Sequence, residues 1–178
     1  MMKNKRKAIS TVMELVSLVN RVGSIGSLAS KIINRGADNG KALQRYYLDS
    51  IKDLTAIIES EKDDVLRFKA HCGIAICLAC QGDVDGMMSN IRSANSFYYN
   101  WADNYLPPKP SGYAPSGNIK FGPFELESSG FVHPRDLYLM RPDRFADYLK
   151  DKNPRAYAEL CEMIPLLDVI KKLESLSK

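Results

Sequence analysis

Apolar residues recur along this chain at spacings of three and four. From Glu61 onward Val65, Phe68, Cys72, Ala75, Ile76 and Ala79 fall on one helical face. The pattern then closes into an unbroken run, Cys72 to Cys80, with no charged or strongly polar side chain. Such a run fits a buried strand as well as a buried helix, and it is the flanking periodicity that selects the helix. Ser60 is the expected N-cap, with Glu61, Asp63 and Asp64 suited to the positive end of the helix dipole. Gln81-Gly82-Asp83 supplies the stop, because glycine tolerates the left-handed backbone that ends helices. A helix over 61–81 would run about 30 Å. Its second half is apolar on every side and is expected to lie in the middle of the domain.

The same periodicity predicts the remaining elements. Ile9, Val12, Met13, Val16 and Val19 form one stripe of a helix over 8–34, with Leu15, Leu18, Val22 and Ile25 beside it and a break near Gly23–Ser27. Gly36-Ala37-Asp38-Asn39-Gly40 reads as a connector. Leu43, Tyr47, Ile51, Leu54 and Ile58 mark a helix over 41–59, and Met87, Met88, Ile91, Ala94 and Trp101 one over 84–105. Short connections between these helices imply antiparallel neighbours. Residues 106–133 hold five prolines and four glycines, which excludes a long helix; 118–121 and 124–127 could pair as a small hairpin. Helical signals return at 136–140 and 142–150. Asn153-Pro154 then opens a last helix to Leu176, with a kink expected at Pro165.

Ala75, Leu78, Gly82, Asp83, Ile91 and Ala94 together resemble one helical hairpin of the tetratricopeptide type, in which small residues let two helices approach and a Gly-Asp turn joins them. The resemblance covers about 71–99, with Met87 where that family usually has Ala and no second copy 34 residues away. It implies a helical hairpin within 61–105 rather than an array of repeats.

Charge alters the picture at one end. The chain of 178 residues carries a net charge of +4. Residues 1–35 hold Lys3, Lys5, Arg6, Lys7, Arg21, Lys31 and Arg35 against Glu14 alone, so the body of the chain is slightly acidic. The basic character belongs to the N-terminal arm, and a general nucleic-acid argument does not extend to the whole protein. No segment reaches the ~18 consecutive apolar residues of a membrane span. Three of the four cysteines sit on the expected buried helix, which fits free thiols in a reducing, cytoplasmic setting better than a disulfide framework.

Candidate chemistry is sparse. Cys77-x-x-Cys80 with His71 and Cys72 invites a zinc reading, but all four lie on one predicted helix, whereas zinc sites usually draw ligand pairs from different elements. His71 or His133 could serve as base to Cys72 or Cys161, yet no spacing selects a pair. No phosphate-binding glycine loop or nucleophile elbow is present, and no metal or cofactor is expected. The densest cluster is aromatic: Phe97, Tyr98, Tyr99, Trp101, Tyr105 and Tyr113. Consecutive aromatics cannot all face inward on one helix, and Tyr and Trp are enriched at binding hot spots.

The expectation is an all-α protein of about six to seven helices, a bundle or hairpin array with an irregular insert. Residues 1–35 form a basic amphipathic arm, 36–105 the helical core, 106–133 the insert, and 134–178 C-terminal helices on the same core. The expected function is non-catalytic binding of another protein, of adaptor, chaperone, immunity or effector type. Tyr98, Tyr99, Trp101, Tyr105 and Tyr113 are the candidate contact residues, together with the insert. The alternative is nucleic-acid association through Lys3, Lys5, Arg6 and Lys7. Self-association stays open.

Overall fold

A computed structural model describes residues 37–108 and 134–177, together with Val12 and Val16. The paired strands expected at 118–127, Tyr113, His133 and the basic residues Lys3, Lys5, Arg6 and Lys7 lie outside the described residues. Those described form six helices and no strand: α1 Ala37–Ser60, α2 Asp64–Gln81, α3 Val84–Asp103, α4 Pro134–Met140, α5 Pro142–Lys150 and α6 Pro154–Leu176. The all-α expectation holds.

The apolar run is the centre of the molecule. α2 packs against α1, α3 and α6, and everything from Cys72 to Cys80 except the half-buried Leu78 is buried. Its start differs from the expected one. Asp63, not Ser60, is the N-cap, and its Oδ1 accepts from the Val65 and Leu66 amides at 2.8 and 3.2 Å. Ser60 instead closes α1, whose hydrogen-bond ladder continues one residue further through Glu61 N–H to the Ile57 carbonyl at 2.9 Å. Asp63 wins because it stands immediately before the first helical residue, Asp64, where its carboxylate reaches two otherwise unsatisfied amides.

One glycine and one aspartate make the hairpin between α2 and α3. Gly82 takes φ +78°, and its N–H bonds to the Ala79 carbonyl while Asp83 N–H bonds to Leu78. This is a Schellman closure, open to glycine because the left-handed backbone crowds a Cβ. Asp83 then turns round to cap α3, accepting from the Gly86 amide at 2.9 Å. The helical hairpin expected within 61–105 therefore spans 64–103.

The second half is built from proline-led helices. Arg141 separates α4 from α5 because a residue before proline is driven out of the helical region, here to φ −122°, ψ 79°. α6 starts as the sequence indicates, with Asn153 Oδ1 accepting from Ala156 N–H at 3.0 Å and Pro154 in the first turn. It is one helix across Pro165, which has no N–H to offer the Cys161 carbonyl. Phe145, Leu149, Leu160, Met163, Leu166 and Leu173 join α5 and α6 to the core with almost no exposed surface.

Candidate interaction surface

The hairpin carries an aromatic chain from the core to the surface. Phe68 of α2 touches Tyr98 of α3 with ring centroids 6.1 Å apart, and Tyr98 stacks on Trp101 at 6.1 Å. Trp101 meets Tyr105 at 5.1 Å and, edge-on, Phe145 of α5 at 6.0 Å. Phe145 stacks on Tyr138 of α4 at 5.8 Å, and Tyr138 reaches Tyr148 at 4.7 Å. Lys152 Nζ lies 4.0 Å above the Tyr148 ring, a cation–π contact that ends the series. The inner members are buried; Tyr105, Tyr138 and Tyr148 are half-buried and bring both apolar faces and hydroxyls to the rim. Leu137 on α4 is 40% exposed.

This arrangement revises the expected contact surface. Tyr98 and Trp101 are each 5% exposed and belong to the interior. Trp101 is further held by its indole N–H, which donates to Glu159 Oε2 of α6 at 2.8 Å, while Glu159 Oε1 accepts from Arg155 at 3.0 Å. Tyr99 and Tyr105 are half-buried against the core. The outward aromatics that the sequence did not single out are Tyr138 and Tyr148. Their spacing to Phe145, three residues before Tyr148 and seven after Tyr138, was the available signal.

Arg135 fixes the foot of this rim. It is 3% exposed, donates through Nη1 to the Pro107 carbonyl at 2.7 Å and ion-pairs with Asp103 at the end of α3. Asp103 and Pro107, at and just after the end of α3, are thereby held against the first turn of α4.

The groups with chemical potential are placed elsewhere and are restrained. His71 Nδ1 lies 2.9 Å from Asn90 Oδ1, and Asn90 uses its amide nitrogen on the Gly86 carbonyl at 2.9 Å. That orientation makes Nδ1–H the donor and leaves Nε2 with its lone pair. The imidazole stacks on Phe97 at 5.4 Å, and the Arg67 guanidinium also lies over Phe97. Burial holds the His71 pKa below the ordinary imidazole value, with the Arg67 charge adding to it and the Asn90 bond opposing it. The cysteines of α2 are free and buried. Burial pushes the Cys77 thiol up to about 12 and the Cys80 thiol up to about 11, with Cys72 raised further. They are poor nucleophiles in this setting. Cys161 is exposed on α6. Among the described residues no three His, Cys, Asp or Glu side chains gather as a metal site, and no helix is long and apolar enough to cross a membrane.

The fold and surface thus define an all-α bundle built on one helical hairpin, with a half-exposed aromatic rim where α3, α4 and α5 meet. No protein-family model, curated protein or solved structure matches the chain.

Proposed function

We infer that the protein is a non-catalytic interaction module that binds another protein through the rim formed by Tyr105, Tyr138, Tyr148 and Lys152. The observation that carries this reading is the continuity of the aromatic chain from Phe68 to Tyr148. Its inner rings anchor the outer ones in fixed positions, so a partner meets aromatic surface that has already lost its conformational freedom. Tyr gives large contact area with few rotatable bonds and a hydroxyl for orientation. The Arg135 tie to Pro107 supports it further, because it holds the chain just after Tyr105 against the start of α4, which carries Tyr138. Three buried free thiols suit a reducing cytoplasm.

The test is affinity capture from nuclease-treated native lysate at low and 0.5 M salt, with the unmodified chain beside the Tyr138→Ala/Tyr148→Ala double variant. A stoichiometric protein that survives high salt and is lost with the variant, at unchanged helical circular dichroism, supports the reading. Capture indifferent to both tyrosines sinks the rim as the contact surface. Material that disappears with nuclease or salt moves the function to Lys3, Lys5, Arg6 and Lys7.

A further inference from the structure

Arg67 and His71 stand one turn apart on α2 and rest on the same ring of α3. The Arg67 guanidinium lies 5.4 Å from the centre of the Phe97 ring, and the His71 imidazole stacks on that ring at 5.4 Å. Both side chains are half-buried and each is pinned at one atom. Arg67 Nε donates to the Glu61 carbonyl at 2.6 Å. His71 Nδ1 is held by Asn90, which is itself fixed by its bond to the Gly86 carbonyl. The remaining polar atoms are the two Nη of Arg67 and Nε2 of His71. Among the described residues they meet no carboxylate and make no hydrogen bond, and none is sealed from solvent.

A free surface arginine gives up rotamer freedom when it captures an anion. Here that freedom is already restricted by Phe97 and the Glu61 carbonyl, so the charge waits in a fixed place without an internal partner. We propose that Arg67 and His71 form a binding site for a phosphate monoester group. The Nη groups present the planar fork that phosphate oxygens accept from. The imidazole supplies a further donor, because proton uptake at Nε2 leaves the Nδ1–H bond to Asn90 in place. None of these residues belongs to the rim of Tyr105, Tyr138 and Tyr148, so the site does not depend on that rim.

The choice of phosphate over carboxylate follows from the number of donors. A carboxylate is satisfied by the guanidinium fork alone, whereas a dianion with three oxygens uses the imidazolium as well. In the free protein, burial and the Arg67 charge both oppose protonation of His71. A bound dianion offsets the Arg67 charge. Phosphate binding and proton uptake at Nε2 are therefore linked, and each strengthens the other.

The experiment follows the imidazole Cε1–H resonances of the full chain by NMR between pH 5 and 8, in chloride, acetate and inorganic phosphate at matched ionic strength. The chain has two histidines, and His71→Gln identifies the resonance of interest. Relative to the same chain in chloride, phosphate is expected to raise the His71 pKa by about one pH unit. Arg67→Gln is expected to remove that rise and to weaken phosphate binding, read by calorimetry at pH 6, by about 10-fold or more. Should Arg67→Gln lose its helical circular dichroism, Arg67→Lys decides; it keeps the charge without the fork and is expected to lose most of the affinity. A phosphoserine tripeptide that binds more tightly than inorganic phosphate names a modified side chain as the source of the group; otherwise free phosphate is the source. Three results overturn the proposal: a His71 pKa indifferent to phosphate, a rise that persists in Arg67→Gln, or an equal rise in acetate.

Discussion

The buried guanidinium of Arg135 donates to the Pro107 carbonyl, 2.7 Å away and 28 positions earlier in the chain. The same guanidinium pairs with Asp103, so a single side chain ties the end of α3, the departure of the insert and its return into α4. Chain closure over such a span is an entropic cost that grows slowly with length, and here it is met by one charged, desolvated group.

Removing that group should therefore be felt beyond its own contacts. Arg135→Ala is expected to destabilise the fold by about 2 kcal/mol, the range for a hydrogen-bonded charge whose acidic partner stays partly solvated. Asp103→Asn, which keeps the Pro107 bond, should cost less than half of that. Urea unfolding followed by circular dichroism measures both; an unchanged midpoint for Arg135→Ala would show that the tie contributes nothing.

His71 should make stability depend on pH. Its folded pKa lies below the unfolded value near 6.5, so the fold favours the neutral ring. The unfolded chain binds the proton first as pH falls, and stability that is complete above about 6.5 is lost progressively below it. Replacing His71 with Gln is expected to flatten the melting temperature between pH 7 and 5. An equally steep profile in the variant would assign the dependence to other groups.

Tyr98 carries a hydroxyl that its ring contacts do not explain. The oxygen is buried and has no hydrogen-bond partner among the described residues, a state that costs about 1–3 kcal/mol relative to water. Tyr98→Phe keeps the ring against Phe68 and Trp101 and removes the orphan oxygen, so it is expected to be neutral or to raise stability by up to about 1 kcal/mol. A clear loss would reveal a partner for that hydroxyl.

Thiol chemistry should divide the four cysteines one against three. At pH 8 an alkylating reagent in excess is expected to modify Cys161 in the native protein within minutes, and Cys72, Cys77 and Cys80 only after denaturant is added, since each combines burial with a raised thiol pKa. Intact-mass spectrometry counts the adducts. Rapid native modification of two or more thiols would mean that α2 opens locally.

How far the sequence announced all this can be read from single residues. The central position of α2 was legible in Cys72–Cys80, because a helix apolar on every side has to be covered on every side. The openings of α5 and α6 were legible in Pro142 and Asn153-Pro154, whose backbone restrictions are local. Ser60 misled because 60–64 holds several polar residues, and capping is decided by which carboxylate faces the free amides, here Asp63. The aromatic residues of α3 were harder still. Phe97 stacks on His71 across the hairpin, whereas Trp101 bonds to Glu159 of α6 and touches Phe145 of α5. A helix with neighbours on two sides buries residues in two directions, and the second direction is supplied by elements beyond residue 133. No periodicity within α3 could report it. The need for glycine at position 73 of α2 was invisible for a similar reason: a Cβ there would lie 2.6 Å from Val12 Cγ2 and 2.7 Å from Leu54 Cδ1, residues distant in the chain.

The position of Trp101 has a practical consequence. It is the only tryptophan in the sequence, and it sits where α3, α5 and α6 converge, with Tyr98 and Tyr105 as immediate neighbours. Its emission is therefore a local gauge. A fluorescence titration of this protein follows the undocking of the C-terminal helices from the hairpin, with tyrosine-to-tryptophan energy transfer fading as they separate. If α1 loosens first, the indole will stay silent while the far-ultraviolet ellipticity has already begun to fall.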